Sequence, residues 1–373
     1  MEVTTRLKKY CSINIINPVS SKDEHRIQKR TLFRLYDTNG IVITNIKCLA
    51  VPFRLPGTGN VTTMIPKISS ILRLNDAISK SDIVYAVTFN PILLLLSMAF
   101  ARANKKRFIL GLHNPEFLIG KRLNEQTPTF GDRLAYLADA VMLHTVKEIH
   151  AQTETQVRLL KKAGYRGAVY YIPHFLYTTP NSKINTNNKF VALFVGRLSI
   201  VQKGIDMLEE IIDRTLSEDG SITYHIIGSG KEGEGAVRSI KRKHPDSVSL
   251  HGFISEKALI HEYKNASLFL LPSRYETPSL SLLEAQSYGI PAVAFNVAGP
   301  KDIMKQHVQG ALIPPFDTEA FSYAILKLKS ENTNKPQAYL KRRQEIKQII
   351  KDRYRSDKFI RMFLQMVYNS QLK

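Results

Sequence analysis

Short apolar runs alternate with helix-length amphipathic segments from one end of the chain to the other. In the first half the runs are Ser12–Asn17, Ile41–Leu49, Ile83–Thr88, Phe108–Leu112, Ile149–Gln152 and Val169–Ile172. In the second half they are Phe190–Val195, Tyr224–Ile227, Val248–Leu250, Leu268–Leu271 and Ala292–Phe295, separated by segments such as KGIDMLEEIIDRTL with helical spacing of apolar positions. Strands alternating with helices predict parallel sheets with crossover helices. The alternation breaks at TTPNSKINTNNK (178–189), where Pro, Asn, Ser and Thr read as an interdomain linker. A length of 373 residues also exceeds what one core organises, about 250–300 residues. The expectation is an α/β chain of two doubly wound parallel-sheet domains, 1–180 and 188–335. The tail 336–373 is basic, carries Ile346, Ile349, Ile350, Phe359, Ile360, Phe363, Leu364 and Val367 at helical spacings, and is expected to pack back toward the first domain.

Composition narrows the class. A chain 43% hydrophobic and 23% charged is of ordinary globular type. Its longest uncharged apolar run, Pro91–Ala101, is shorter than the roughly 20 residues a membrane-spanning helix needs. The start, MEVTTRLKKYCSINIINP, lacks the apolar core of a signal peptide, so a cytoplasmic location is expected. Cys11 and Cys48 lie beside or within apolar runs without metal-ligand spacing and read as buried structural residues. The net charge of +21 is heavier in the first half. It suits an anionic membrane surface engaged peripherally or a solvated basic exterior. Nucleic acid is the weaker reading, because the chain shows no aromatic-rich binding motif.

Candidate chemistry sits where strands end, since open parallel sheets bind ligands at their carboxyl edges. In LPSRYETPSLSLLEA, Glu276 and Glu284 stand on either side of a strand-to-helix junction. Thr277 is placed to cap the helix and Pro278 to open it, which leaves the backbone N–H groups of Ser279 and Leu280 as an anion cradle. About 7.5 Å of helix rise separates Ser279 from Glu284. That spacing lets a diphosphate sit on the cradle with a hydroxyl-rich group at each carboxylate. In VGRLSIVQKG, Arg197 and Lys203 can neutralise a diphosphate. In IIGSGKEGEG, Gly228, Ser229 and Gly230 allow a flat group to approach the backbone, and read equally as a plain tight turn.

The stretches FVGRLSIVQKGID, HIIGSG, VSLHGFISEKALIHEYKNASLFLLPSRYETPSLSLLEAQSYGIPAVAFNVAGPKDI and QGALIPP resemble the donor half of a family-4 glycosyltransferase. The likeness is close over about 190–316 and loose before it. It implies the GT-B fold, two Rossmann-like domains facing across a cleft. It also implies a retaining, metal-independent hexosyl transfer from a nucleotide-diphosphate sugar to an acceptor hydroxyl, lipid-linked or on a glycan, with no cofactor. By position, Arg197 and Lys203 would hold the diphosphate, and Ser279 and Leu280 would offer N–H groups to the distal phosphate. Glu276 would contact the donor sugar and Glu284 the ribose. The absence of any Asp-x-Asp pair fits a reaction without metal.

In RFILGLHNPEF the resemblance implies that His113 bonds the donor sugar or assists proton movement, while a lone strand-end histidine can equally be structural. Asn114 and Glu116 are possible acceptor contacts. Two departures stand out. The turn NPVSSKDEH lacks the family's glycines, so Ser20 and Ser21 would have to serve, and TPSL stands where Gly-Phe-Gly-Leu is common. LPGTGN (55–60) reads as a surface turn. The same fold would also serve an epimerase or hydrolase of nucleotide-sugars, or a non-catalytic partner-binding subunit.

Overall fold

A computed structural model describes residues 13–20, 41–55, 59–87, 91–112, 144–176, 189–305 and 307–368. Cys11, Ser21, His113, Asn114, Glu116 and the linker over 178–188 lie outside them. The chain divides into two compact units, residues 1–172 with 357–373, and residues 173–356.

The first unit contains two sheets. One is three-stranded, β1 (Ile13–Ser20), β2 (Ile41–Leu55) and β3 (Gly59–Pro66), with β1 parallel and β3 antiparallel to β2. The strand β3 was not expected: LPGTGN joins β2 to an antiparallel partner, with Leu55 paired to Gly59. The expected turn after Asn17 also starts later, because β1 runs on and pairs Ser20 with Cys48. Among the described strands β1 lies at the edge of its sheet, the kind of position where a strand proline such as Pro18 is found.

After α1 (Ile68–Ser79), the second sheet is built from β4 (Ile83–Ala86), α2 (Pro91–Ala103), β5 (Arg107–Leu112), β6 (Glu148–Ala151), α3 (Glu154–Lys162) and β7 (Ala168–Tyr171). Its four strands are parallel and in sequence order. Leu74, Ile78, Leu93, Leu94, Ile109 and Ile149 form the interior between helices and sheet. Helix α3 starts from a reciprocal cap in which Thr153 and Gln156 satisfy each other's backbone N–H.

The second unit is a six-stranded parallel sheet. Its elements are β8 (Val191–Val195), α4 (Ile200–Lys203), α5 (Ile205–Glu218), β9 (Thr223–Ile227), α6 (Glu234–Lys243), β10 (Val248–Gly252), α7 (Glu256–Asn265), β11 (Leu268–Leu271), α8 (Leu280–Ser287), β12 (Ala292–Phe295), α9 (Ala298–Ile303), β13 (Gly310–Ile313) and α10 (Thr318–Asn334). The strand order β10-β9-β8-β11-β12-β13 is that of a doubly wound dinucleotide-binding sheet, and its direction reverses between β8 and β11. Strands β11 and β12 are buried along their whole length, as expected for strands covered on both faces. Phe194, Ile211, Tyr224 and Phe295 fill one face, and Leu193, Phe269, Leu271 and Leu283 the other.

The tail divides. Helix α11 (Pro336–Arg353) packs in the second unit, placing Ile346 and Ile350 in the core beside Leu282 and Leu283. Helix α12 (Ser356–Tyr368) contributes its residues from Asp357 onward to the first unit. Phe363 packs edge-on against Tyr85.

Candidate donor site at the strand-order reversal

Lys203 and Glu276 arrive from opposite sides of the β8/β11 reversal, the place where a doubly wound sheet opens a crevice. Lys203 ends the short helix α4, which Ser199 caps by accepting from the Gln202 N–H. The chain then turns at Gly204, whose φ of 65° is left-handed. A Cβ there would lie 2.1 Å from the Pro272 carbonyl oxygen, so only glycine lets the Lys203 turn press against the end of β11. At Gly228, with φ 146°, an added Cβ would meet the Gly196 carbonyl oxygen at 1.8 Å, so the β8 and β9 turns are equally close.

Glu276 is 3% exposed and its Oε1 accepts from Lys203 Nζ and, at 2.8 Å, from Ser273 Oγ. Its carbonyl accepts from the Gly299 N–H at 3.2 Å, tying the loop to the start of α9. Lys203 and Glu276 side chains are both largely withdrawn from solvent, so the pair neutralises charges that neither could bury alone.

The helix start differs from the expected one. Helix α8 begins at Leu280 with Ser279 as its N-cap, not at Pro278 after Thr277. The first intrahelical bond is made by the Leu283 N–H to the Ser279 carbonyl, because Glu276 is held back by Ser273, Lys203 and Gly299. Two side-chain oxygens are left buried without a partner, Thr277 Oγ1 and Ser279 Oγ. Ser279 is 1% exposed and makes no side-chain cap. A buried hydroxyl and the first N–H groups of a helix, next to a lysine, form a place for an anion. Leu280 is half exposed at this helix start.

Glu284 lies one turn further along and accepts from Tyr263 Oη of α7 at 2.9 Å. Burial pushes its carboxyl above the usual range, against the opposing effect of the Tyr263 hydrogen bond. Arg197 is exposed, and its guanidinium donates to Gln202 Oε1. The structure therefore brings Arg197, Lys203, Gly228, Glu276, Ser279, Leu280 and Glu284 to the carboxyl edge of one sheet. His113 follows directly on the described end of β5 and is itself outside the described residues.

Sequence reasoning missed the residues that hold this arrangement. Arg274 donates through both terminal nitrogens to Asp206, at 2.7 and 2.6 Å, and through Nη1 to the Ile200 carbonyl. Its N–H bonds the Gln202 carbonyl at 2.9 Å. It thereby fixes the Glu276 loop to helices α4 and α5. Glu232 accepts from Ser199 Oγ and from the Val201 N–H, closing the start of α4. Only the place of Arg274 inside SRYE could have signalled a role.

Residues 178–352 match the family model described as glycosyl transferases group 1. The second unit is a group 1 glycosyl transferase domain. Over 309 residues the chain is 24% identical to the 2-deoxystreptamine N-acetyl-D-glucosaminyltransferase of Niallia circulans, covering 77% of this chain and 78% of that one. It is 31% identical to the glycogen synthase of Pseudomonas fluorescens over 132 residues, 35% of this chain and a quarter (25%) of that one. Among solved structures, Anabaena HepE in complex with UDP-glucose superposes with a TM-score of 0.70 at 15% identity, covering 96% of this chain and 100% of that one. S. aureus TarM, in complex with Fondaparinux, alpha-GlcNAc-glycerol and UDP, gives 0.66 at 18%, covering 82% and 59%. These likenesses place the chain in the GT-B fold class.

Proposed function

We propose that this group 1 glycosyltransferase moves a sugar from a nucleotide-diphosphate sugar to an acceptor hydroxyl with retention of anomeric configuration and without a metal. The observation that carries the reading is the buried Lys203–Glu276 pair beside the unpartnered Ser279 hydroxyl at the strand-order reversal. Arg197, Lys203 and the N–H groups at Ser279 and Leu280 hold the diphosphate. Glu276 contacts the sugar, Glu284 accepts from the ribose hydroxyls, and Gly228 leaves room for the nucleoside. UDP in the HepE and TarM complexes makes a uridine nucleotide the first donor to test. The acceptor is a glycan or a lipid-linked sugar, and the basic charge of the chain suits its presentation at an anionic membrane surface.

In the transfer, the bond from the anomeric carbon to the phosphate oxygen breaks while the acceptor oxygen bonds that carbon on the same face. The acceptor proton passes to the departing phosphate oxygen. Lys203 and Arg197 stabilise the charge that develops on the diphosphate, which is the largest catalytic contribution such a site can make. A metal has no separate task in this scheme. His113 bonds the donor sugar or assists proton movement.

A thermal-shift panel of UDP, GDP and ADP with their sugars tests donor binding, because a ligand at a hundred times its Kd stabilises the fold by about 2.7 kcal/mol. One base class is expected to raise Tm, and Arg197→Ala to reduce that rise. No shift with any nucleotide would sink the donor-site reading. Release of free sugar from the donor without an acceptor, at the full rate, would instead favour a hydrolase.

A further inference from the structure

His225 on β9, His251 on β10 and Glu262 on α7 bring one ligand atom each to within 4.8 Å of one another. His225 Nδ1 stands 2.7 Å from Glu262 Oε2, and the two imidazole rings are 5.2 Å apart. His251 Nε2 is buried and has no hydrogen-bond partner. The ladder explains why it points there. β10 pairs with β9 through Leu250 and then Gly252, so His251 is the extra residue of a β-bulge, a device that re-aims a side chain. Against that bulge, His225 and Glu262 side chains retain some solvent access, so an ion has a way in.

We propose that His225, His251 and Glu262 form a binding site for a borderline divalent transition-metal ion of the Zn²⁺ class. Two imidazole nitrogens and one carboxylate oxygen suit such an ion, and they leave a fourth tetrahedral position to water. With bonds of about 2.0 Å, tetrahedral donors stand about 3.3 Å apart. In the metal-free protein the His225–Glu262 hydrogen bond occupies the site, and an ion would replace it. A salt bridge alone would explain His225 and Glu262. It leaves the buried, unpaired His251 nitrogen without a reason, and a metal supplies one. Because the N–H of Gly228 bonds the carbonyl of Gly252, the ion would also pin the ends of the two strands that carry these turns.

The site is independent of the transfer proposed above, and its test needs no substrate. Metal-stripped full-length protein is titrated with Zn²⁺ by calorimetry at pH 7.5. One ion per chain is expected. Affinity should fall at least tenfold in His251→Ala and in Glu262→Gln, and stay unchanged in His261→Ala, an exposed histidine on the same helix. Binding below one ion per chain, or parent-like affinity in either His251→Ala or Glu262→Gln, would overturn the assignment. A second reading guards against misfolding. Co²⁺ added to His251→Cys should give a near-ultraviolet sulfur-to-metal band that the parent protein lacks, and its absence also overturns the proposal.

Discussion

Lys203 Nζ donates to Glu276 Oε1, so the residues expected to hold the diphosphate and the sugar of a donor are each other's counter-ion in the ligand-free fold. Removing either one strands a charge in a nearly closed environment, a loss typically of about 3–5 kcal/mol. Lys203→Ala and Glu276→Ala should therefore lower both Tm and sugar transfer, the latter at least tenfold. In Glu276→Gln the buried charge is lost while the shape is kept. The double variant Lys203→Met with Glu276→Gln should regain much of the stability and none of the activity. A double-mutant cycle on Tm and on transfer rate checks this. Additive stability losses, or wild-type turnover in any of these variants, would refute the shared role.

Glu284 shows a conflict between stability and binding. Burial raises its folded-state pKa above 4.5, so the fold favours the protonated acid. That stabilisation is complete below about pH 4.5 and is lost as pH rises through the folded-state value. Glu284→Gln keeps an acceptor for Tyr263 and has no ionisation to oppose. At pH 7 the variant should melt above wild type, and the gap should close toward pH 4. Its donor affinity should drop about tenfold, the size of a lost charge-assisted bond. Thermal melts across pH, together with nucleotide titrations, would show a variant that is more stable and binds less.

The alternation of apolar runs made the second unit legible almost strand by strand, because β8, β9, β11 and β12 are buried segments that end in recognisable turns. The positions of Arg197 and Gly228, just past the ends of β8 and β9, were legible for the same reason. Four features were not. β3 follows LPGTGN, which reads as a surface turn, and its own residues GNVTTMIP show no strong alternation. The start of α8 was misplaced because Thr-Pro has the local chemistry of a helix start, whereas long-range bonds to Glu276 decide where the helix begins. Arg274 and Asp206 are 68 positions apart, and nothing local marks them as a pair. The His225, His251 and Glu262 cluster escaped for a related reason, since a bulge rather than a sequence spacing aims His251.

His150 makes the first unit sensitive to mild acid. Its Nε2–H donates to the Ile172 carbonyl at 2.8 Å, which can only accept, so Nδ1 accepts from Tyr85 Oη at 2.5 Å. Burial pushes the imidazole from 6.5 down to about 4. A group held neutral in this way destabilises the fold as pH falls below its unfolded value of 6.5, and the loss is complete near the folded value of about 4. Wild-type Tm should therefore fall as pH drops from 6.5 to 5, above the range where most carboxylates titrate. His150→Gln should start lower at pH 7 and show a flatter slope over that window. Parallel slopes would remove His150 as the cause.

Arg107 joins the last helix to the first unit. From β5 it donates through Nε and Nη2 to the two oxygens of Glu148, at 2.7 and 2.5 Å, and Tyr170 Oη donates to the same carboxylate. Nη2 and Nη1 also donate to the carbonyls of Met366 and Val367, at 2.7 and 2.6 Å. Those carbonyls lie in the last described turn of α12, where a cation is favoured. Arg107→Ala removes both functions. Lysine cannot span them, because it lacks the planar fork. Amide hydrogen exchange over 356–368 should accelerate at least tenfold in Arg107→Ala and clearly in Arg107→Lys. Arg361→Ala, which breaks only an exposed pair with Asp357 on the same helix, should leave exchange nearly unchanged. Equal acceleration in Arg107→Ala and Arg361→Ala would mean that the helix is held by Phe359, Phe363 and Met366 packing alone.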